Sequence, residues 1–316
     1  MRQNKINTII LSDSEINHII YTVKKNEVII EDCSKFFINI FDKTSINNAL
    51  KEISQKVKNY KLTKLNIIND NVLKYQFIIE QNEVANLKLE VLNRFRTTFD
   101  ISLNEYYIDF ETYNFKEKII VFIAGVNKIF LDSILRNFKS LKYKLLFLEV
   151  DIIALKRLVN SKFKDQIVMN IHLRDDKTIF IVMYNELLFT FRELNFGFKN
   201  ILNFLYEKSK IDESKILENL NFENFPLTEA LDKFTIELQR TIDFYNAQFR
   251  NKPISKIIIT GKFLNIKGIE NYLSQLFMID SETFNGLKQF VLNTDVEKVE
   301  QLTYLQEILG TSLREV

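Results

Sequence analysis

The sequence predicts a duplicated α/β fold, with two domains facing one another across a cleft. Three observations predict it. A three-stranded meander followed by a helix occurs near the start and again in the second half; strands and helices alternate after each; and 316 residues suffice for two domains that each bury a core. Hydrophobic residues make up 46% and charged residues 27%, the balance of a soluble globular protein. Lys and Arg total 43 against 41 Asp and Glu, and a net charge of +2 excludes a strongly basic nucleic-acid binder.

In the first half, strands over Ile6 to Leu11, Ile16 to Val23 and Val28 to Glu31 are separated by polar turns at Ser12-Asp13-Ser14 and Lys24-Lys25-Asn26. Ile46, Leu50, Ile53 and Val57 recur at helical spacing behind the cap candidates Thr44 and Ser45, so a helix spans Ser45 to Tyr60, and Leu62 to Ile68 is a strand. The rhythm then breaks: strand Leu73 to Glu80, helix Glu83 to Phe99 and strand Tyr106 to Thr112 read as an inserted subdomain, about 70–115. Alternation resumes with strand Ile119 to Ala124, helix Asn127 to Leu141, strand Lys144 to Glu149 and helix Asp151 to Val159.

The second meander covers Gln166 to His172, Thr178 to Tyr184 and Glu186 to Arg192, and a helix over Gly197 to Lys208 follows. A long helix, Thr228 to Phe249, precedes a buried strand, Lys256 to Thr260, a helix, Ile266 to Leu276, and a last helix, Val299 to Leu313. These elements give a first domain over 1–155 and a second over 156–316, with the last helix free to return to the first.

The lone Cys33 excludes an internal disulfide framework and suits a reducing cytosol. The N-terminal apolar stretch is broken by Ser12, Asp13, Ser14 and Glu15, and no later stretch has the length of a membrane span. His18 and His172 lack Cys or carboxylate neighbours at ligand spacing and read as structural, as does Cys33. Asp175-Asp176 reads as a solvated turn pair. The cations and aromatics of Arg94 to Phe99 and Phe244 to Arg250 lie on amphipathic helices, so they read as surface and core, not as a nucleic-acid platform.

From Leu231 to Leu273 the chain resembles the PilM family of type IV pilus assembly proteins, within the actin-like ATPase superfamily. The likeness is carried by Glu237-Leu238-Gln239-Arg240-Thr241-Ile242-Asp243-Phe244-Tyr245, by Pro253-Ile254-Ser255-Lys256-Ile257-Ile258-Ile259-Thr260-Gly261 and by Asn265-Ile266-Lys267-Gly268-Ile269. Supporting stretches are Phe191 to Gly197, Glu149 to Ala154, Leu89 to Val91 with Tyr106 to Phe110, and Leu309 to Arg314. The resemblance implies an actin-like, ribonuclease H-like duplicated fold with a small inserted α+β subdomain. It also implies a cytoplasmic protein, peripheral on the inner face of the inner membrane, among other pilus platform proteins.

The nucleotide motifs of that superfamily are degenerate here. An Asp-x-Gly element is expected in the turn of each meander, where Gly admits phosphate and Asp organises the metal. The turns instead read Ile10-Leu11-Ser12 and His172-Leu173-Arg174, and the glycine-rich adenosine loop reads Gly261-Lys262-Phe263. The residues left to contact a nucleotide are Ser12, Asp13, Ser14, Asp175, Thr178, Gly261 and Lys262. The expectation is therefore a pseudo-ATPase, not an enzyme, with no cofactor or at most weakly held ATP, and no metal.

Its function is expected to be that of a scaffold. The inserted subdomain has strand edges onto which an extended peptide can add, and the resemblance makes that peptide the cytoplasmic N-terminal tail of a PilN-like inner-membrane protein. Alternatives are a nucleotide-binding ATPase switch, or the equivalent scaffold of type II secretion or of cell division. The chain shows neither the periplasmic extension of the secretion homologue nor the amphipathic anchor of the division homologue, and direct membrane insertion is not expected.

Overall fold

The structure is a computed structural model and describes residues 5–25, 27–57, 62–81, 86–250, 252–295, 299 and 301–315. The chain packs as two compact units: Met1–Arg157 with Lys288–Leu302 and Glu307–Val316, and Leu158–Leu287 with Thr303–Gln306.

In the first unit β1 (Ile6–Ser12), β2 (Glu15–Lys24) and β3 (Glu27–Phe37) form an antiparallel meander. Helix α1 (Lys43–Val57) buries Ile46, Ala49, Leu50, Ile53 and Val57, the stripe its spacing predicts. Strand β4 (Leu62–Ile68) returns parallel to β1. β3 runs to Phe37, beyond the predicted Glu31, so Cys33 lies buried inside a strand and does not follow one. The polar Asp32, Ser34 and Lys35 hid that extension from a count of apolar residues.

An antiparallel sheet then interrupts the unit: β5 (Val72–Glu80), α2 (Leu87–Phe99), β6 (Tyr106–Phe115) and β7 (Lys118–Asn127), in strand order β5-β7-β6. The alternation expected to resume at Ile119 does not, because β7 is the central strand of this inserted sheet. One face of the sheet packs Phe77, Ile79, Val121 and Ile123 against Val91 and Phe95 of α2. Gly125 makes room for a ring, since a Cβ there would lie 2.8 Å from Phe95. Asn86 caps α2 by accepting from the Leu89 N–H (3.1 Å), and residues 83–85 of the expected helix lie outside the described residues. The main sheet is rejoined through α3 (Lys128–Ser140) and β8 (Lys144–Val150), which is parallel to β4. Helix α4 (Asp151–Phe163) leads into the second unit.

That unit repeats the plan. Strands β9 (Val168–Leu173), β10 (Thr178–Tyr184) and β11 (Leu187–Leu194) form a meander, followed by α5 (Phe198–Ser209), α6 (Glu213–Glu218), α7 (Leu227–Ala230) and α8 (Asp232–Gln248). Then come β12 (Lys256–Gly261), α9 (Ile269–Phe277) and β13 (Ser281–Thr283). The order β11-β10-β9-β12-β13 matches β3-β2-β1-β4-β8 of the first unit, where β14 (Val291–Leu292) adds beside β3. The match extends to side chains: Asn7 Nδ2 on β1 donates to the Leu62 carbonyl (3.2 Å), and Asn170 Nδ2 on β9 to the Ile258 carbonyl (3.1 Å).

The long helix expected over Thr228 to Phe249 is two helices meeting at Leu231 (φ −96°, ψ 2°). Leu231 still donates to Leu227 and accepts from Thr235 (both 2.9 Å), so the kink lies within one apolar stripe, where periodicity does not register it. The last helix is also shorter than expected: α10 covers Gln306–Ser312 after a 3-10 turn at Gln301–Thr303, and residues 296–298 and 300 lie outside the described residues. From Glu307 onward it packs in the first unit, where Ser312 Oγ donates to Thr8 Oγ1 (2.9 Å) and Asn66 Nδ2 to Thr311 Oγ1 (2.9 Å).

Candidate functional site

Each meander turn is held by backbone hydrogen bonds within its own unit. In the first, Ser12 Oγ hydrogen bonds with the backbone of Glu15 (3.1 Å), while the carbonyls of Asp13 and Ser14 accept from Ile40 (3.1 Å) and Ile38 (2.8 Å). In the second, the Arg174 and Asp175 carbonyls accept from Phe198 (2.8 Å) and Lys199 (3.0 Å), so the chain itself closes the N-terminus of α5. A Cβ on Gly197 would lie 2.4 Å from the Asp175 oxygen. Gly261, at φ +72°, likewise touches protein: a Cβ there would lie 2.3 Å from the Leu173 oxygen. Both glycines permit close approach of backbone to backbone.

Lys262 Nζ stands 3.6 Å from Asp175 Oδ1 and 4.9 Å from the centre of the Tyr304 ring. Thr178 is fully buried and donates to the Phe196 carbonyl (2.6 Å). Of the residues singled out for nucleotide, the second unit therefore brings together Asp175, Gly261 and Lys262 and keeps the Thr178 hydroxyl in the core. Ser12, Asp13 and Ser14 sit on a turn of the first. Among the described residues no cluster of three or more His, Cys, Asp or Glu could hold a metal ion. His18 shares hydrogen bonds with Ser34 (3.2 Å) and Asn7 (3.3 Å), and burial pushes its pKa down to about 3, so it is a neutral core residue. His172 is tied to Thr260 (3.0 Å).

The feature best built to receive a ligand lies wholly in the first unit. A groove of about 310 Å³ runs between the inserted sheet and β8. Strand alternation makes it: Phe77, Ile79, Val121 and Ile123 point to α2, so the opposite face presents Phe122, Ala124 and Val126 of β7 and Tyr107, Asp109 and Glu111 of β6. The other wall is Leu148, Glu149 and Val150 of β8, with Ile153 of α4 and Arg314. Both flanking strands are terminal in their sheets: among the described residues β6 pairs only with β7 and β8 only with β4. An edge of this kind leaves backbone donors and acceptors for another strand.

Side chains fix the width of the groove. Lys74 of β5 donates to both oxygens of Asp151 (3.0 Å each), and Lys156 of α4 donates to the Tyr113 hydroxyl of β6 (3.0 Å). Glu149 receives Arg157 through two parallel bonds (3.0 and 2.8 Å), the strong fork geometry. The guanidinium of Arg314 lies 4.1 Å from the Phe147 ring centre and 3.4 Å from Glu149 Oε2. Buried Lys64 of β4 fixes that end of the chain by donating to the carbonyls of Ser312 (2.9 Å) and Arg314. Burial is the main cause that pushes the Lys64 pKa down to about 8, opposed by Glu149.

Sequence reasoning located the inserted segment but not the groove residues. Their signal was the alternation Tyr107, Asp109, Glu111 on β6, polar on one face while Ile108 and Phe110 alternate onto the other. The stretch Leu309 to Arg314 supported the resemblance but did not place Arg314 in the groove, because that place is set by Lys64, 250 residues away in sequence.

No protein-family model and no curated protein matches the sequence. Solved structures do match. The chain superposes on a chain of a solved PilM-PilN type IV pilus biogenesis complex with a TM-score of 0.72 and 12% identity, over 98% of this chain and 97% of that one. The chain has the PilM fold. It is actin-like, each unit being built on one of the two matching sheets. The ethanolamine utilization protein EutJ of Carboxydothermus hydrogenoformans is a more distant likeness, with a TM-score of 0.53 and 9% identity over 98% and 91% of the two chains.

Proposed function

We propose that this PilM-like chain is a cytoplasmic scaffold of a type IV pilus or related assembly platform, and that its groove holds the N-terminal cytoplasmic tail of a PilN-like inner-membrane protein. One observation carries the reading: two terminal strands, β6 and β8, flank a single apolar-floored groove. An extended tail gains main-chain hydrogen bonds on such an edge while alternate side chains enter the floor. That the solved PilM structure is a complex with PilN supports the choice of partner.

Among the described residues no helix is long and apolar enough to cross a membrane, and the tail would be the means of recruitment. Hydrolysis is lost in this reading, because the turns and glycines of the nucleotide loops are occupied by the chain's own backbone, and ATP is at most weakly held. The test is calorimetric titration with a synthetic tail of the PilN-like protein encoded in the same genome. An affinity near micromolar, about −8 kcal/mol, is expected. It should vanish in Ala124→Arg, which fills the floor, with the melting transition unchanged. Equal binding by both proteins would place the tail elsewhere, and tight binding to bare anionic vesicles would overturn recruitment by the tail.

A further inference from the structure

The groove carries opposite charges on its two walls. From this we infer that Arg314 on one side, and Asp109 with Glu111 on the other, select a partner segment bearing two opposite charges around an apolar stretch. An acidic group of the segment lies against Arg314, a basic group against β6, and the apolar residues between them cover Phe122, Ala124 and Val126. The inference rests on the groove being the seat of a peptide.

Arg314 is the surplus cation of its wall. Glu149, whose side chain is 3% exposed, already has both oxygens bonded by Arg157. The additional contact from Arg314 to Glu149 is long, at 3.4 Å, and the Arg314 side chain stays 42% exposed. Glu149 against Arg157, Arg314 and the buried Lys64 leaves this wall positive, and a guanidinium keeps its charge at any pH of interest. Arg314 is also pre-placed, its plane on Phe147 and its backbone held by Lys64. A fork of N–H donors fixed in that way suits a carboxylate.

The β6 wall has the opposite sign. Asp109 and Glu111 are exposed on the same face of the strand. Asp109 accepts from the N–H of Phe110 (2.9 Å) and, among the described residues, has no ion-pair partner. Glu111 lies 3.9 Å from Lys156 Nζ, whose bond to the Tyr113 hydroxyl holds it in the interior, 6% exposed. Two carboxylates therefore face one distant cation.

The test is selection of a displayed library of random short peptides on the full-length protein and on charge-reversed variants. Peptides enriched on the unmodified protein should share an acidic and a basic position flanking apolar residues. Arg314→Glu should exchange the acidic position for a basic one and weaken the original peptide by about tenfold, the size of one exposed attraction turned into a repulsion. The pair Asp109→Lys with Glu111→Lys should exchange the basic position for an acidic one. Arg314→Gln, which keeps the shape without the charge, should remove the acidic preference and nothing else, and unchanged melting transitions would show that all variants fold. Enriched peptides with no charged positions, or with charges indifferent to the reversals, would overturn the inference while leaving the groove as a peptide seat. No enrichment over Ala124→Arg would overturn the groove itself.

Discussion

The crossover after β4 and the crossover after β12 occupy the same place in two sheets of the same strand order, and they are built differently. After β12 the chain turns at once through Gly261 and a 3-10 turn, Lys262–Asn265, into α9 and β13. After β4 it first makes the whole inserted sheet, and only then α3 and β8. The second unit keeps a tight, self-packed turn where the first has gained a new surface. Duplication supplied the sheets, and the proposed function lies in what one copy added.

The sharpest way to break that comparison is at Gly261. If this glycine served a nucleotide, Gly261→Ala would lower nucleotide affinity and spare stability. Because its positive φ and the Leu173 oxygen 2.3 Å from a would-be Cβ serve the fold, we expect about 3 kcal/mol of lost stability, read as a lower denaturant midpoint. A stable Gly261→Ala protein would return the turn to the nucleotide reading.

Lys64 tests the first unit's hold on the C-terminal segment. A pKa pushed from 10.5 down to about 8 means that the unfolded chain binds the proton more tightly than the folded one. The cost of keeping a buried cation is present in full below pH 8 and is relieved as pH rises from 8 to 10.5, so this group makes stability increase with pH in that window. Measured against Lys64→Met, which removes the titration, the relative gain should reach up to about 3 kcal/mol. A flat difference across the window would show that Lys64 is more hydrated than its burial implies.

Breaking the fork at Glu149 should cost less. Arg157→Met leaves a carboxylate with 3% exposure to the longer Arg314 contact and the buried charge of Lys64, and since Arg157 is itself 24% exposed we expect about 2 kcal/mol, by thermal melting. The same variant should draw Arg314 toward Glu149 and weaken capture of an acidic peptide position.

How much of this was legible follows from range. Both meanders, α1, α3 and the inserted segment could be read because period-2 and period-3.6 patterns are local. Strand β7 was assigned to the wrong sheet, since its apolar run is equally suited to either and only its pairing with Tyr106–Phe115 and Val72–Glu80 decides. Short β13 and β14 have no period to read. The loss of the turn glycines was visible in sequence, but their replacement by backbone contacts, such as those of Arg174 and Asp175 to α5, was not.

The smallest effect expected is at Lys262, and it bears on the nucleotide reading most directly. Its partner Asp175 is 3.6 Å away, and the two side chains are 30% and 48% exposed. A solvated pair at that distance contributes little, because water screens the attraction and ordering two side chains opposes it. Lys262→Ala should therefore change stability by no more than about 0.5 kcal/mol. Were phosphate held beside this loop, the same change would remove a cation from an anion and cut ATP affinity by far more than stability. We expect calorimetry with ATP and magnesium to give equally small heats for the unmodified protein and for Lys262→Ala. A strong ATP isotherm that Lys262→Ala abolishes would make the second unit a nucleotide site and confine the scaffold reading to the first.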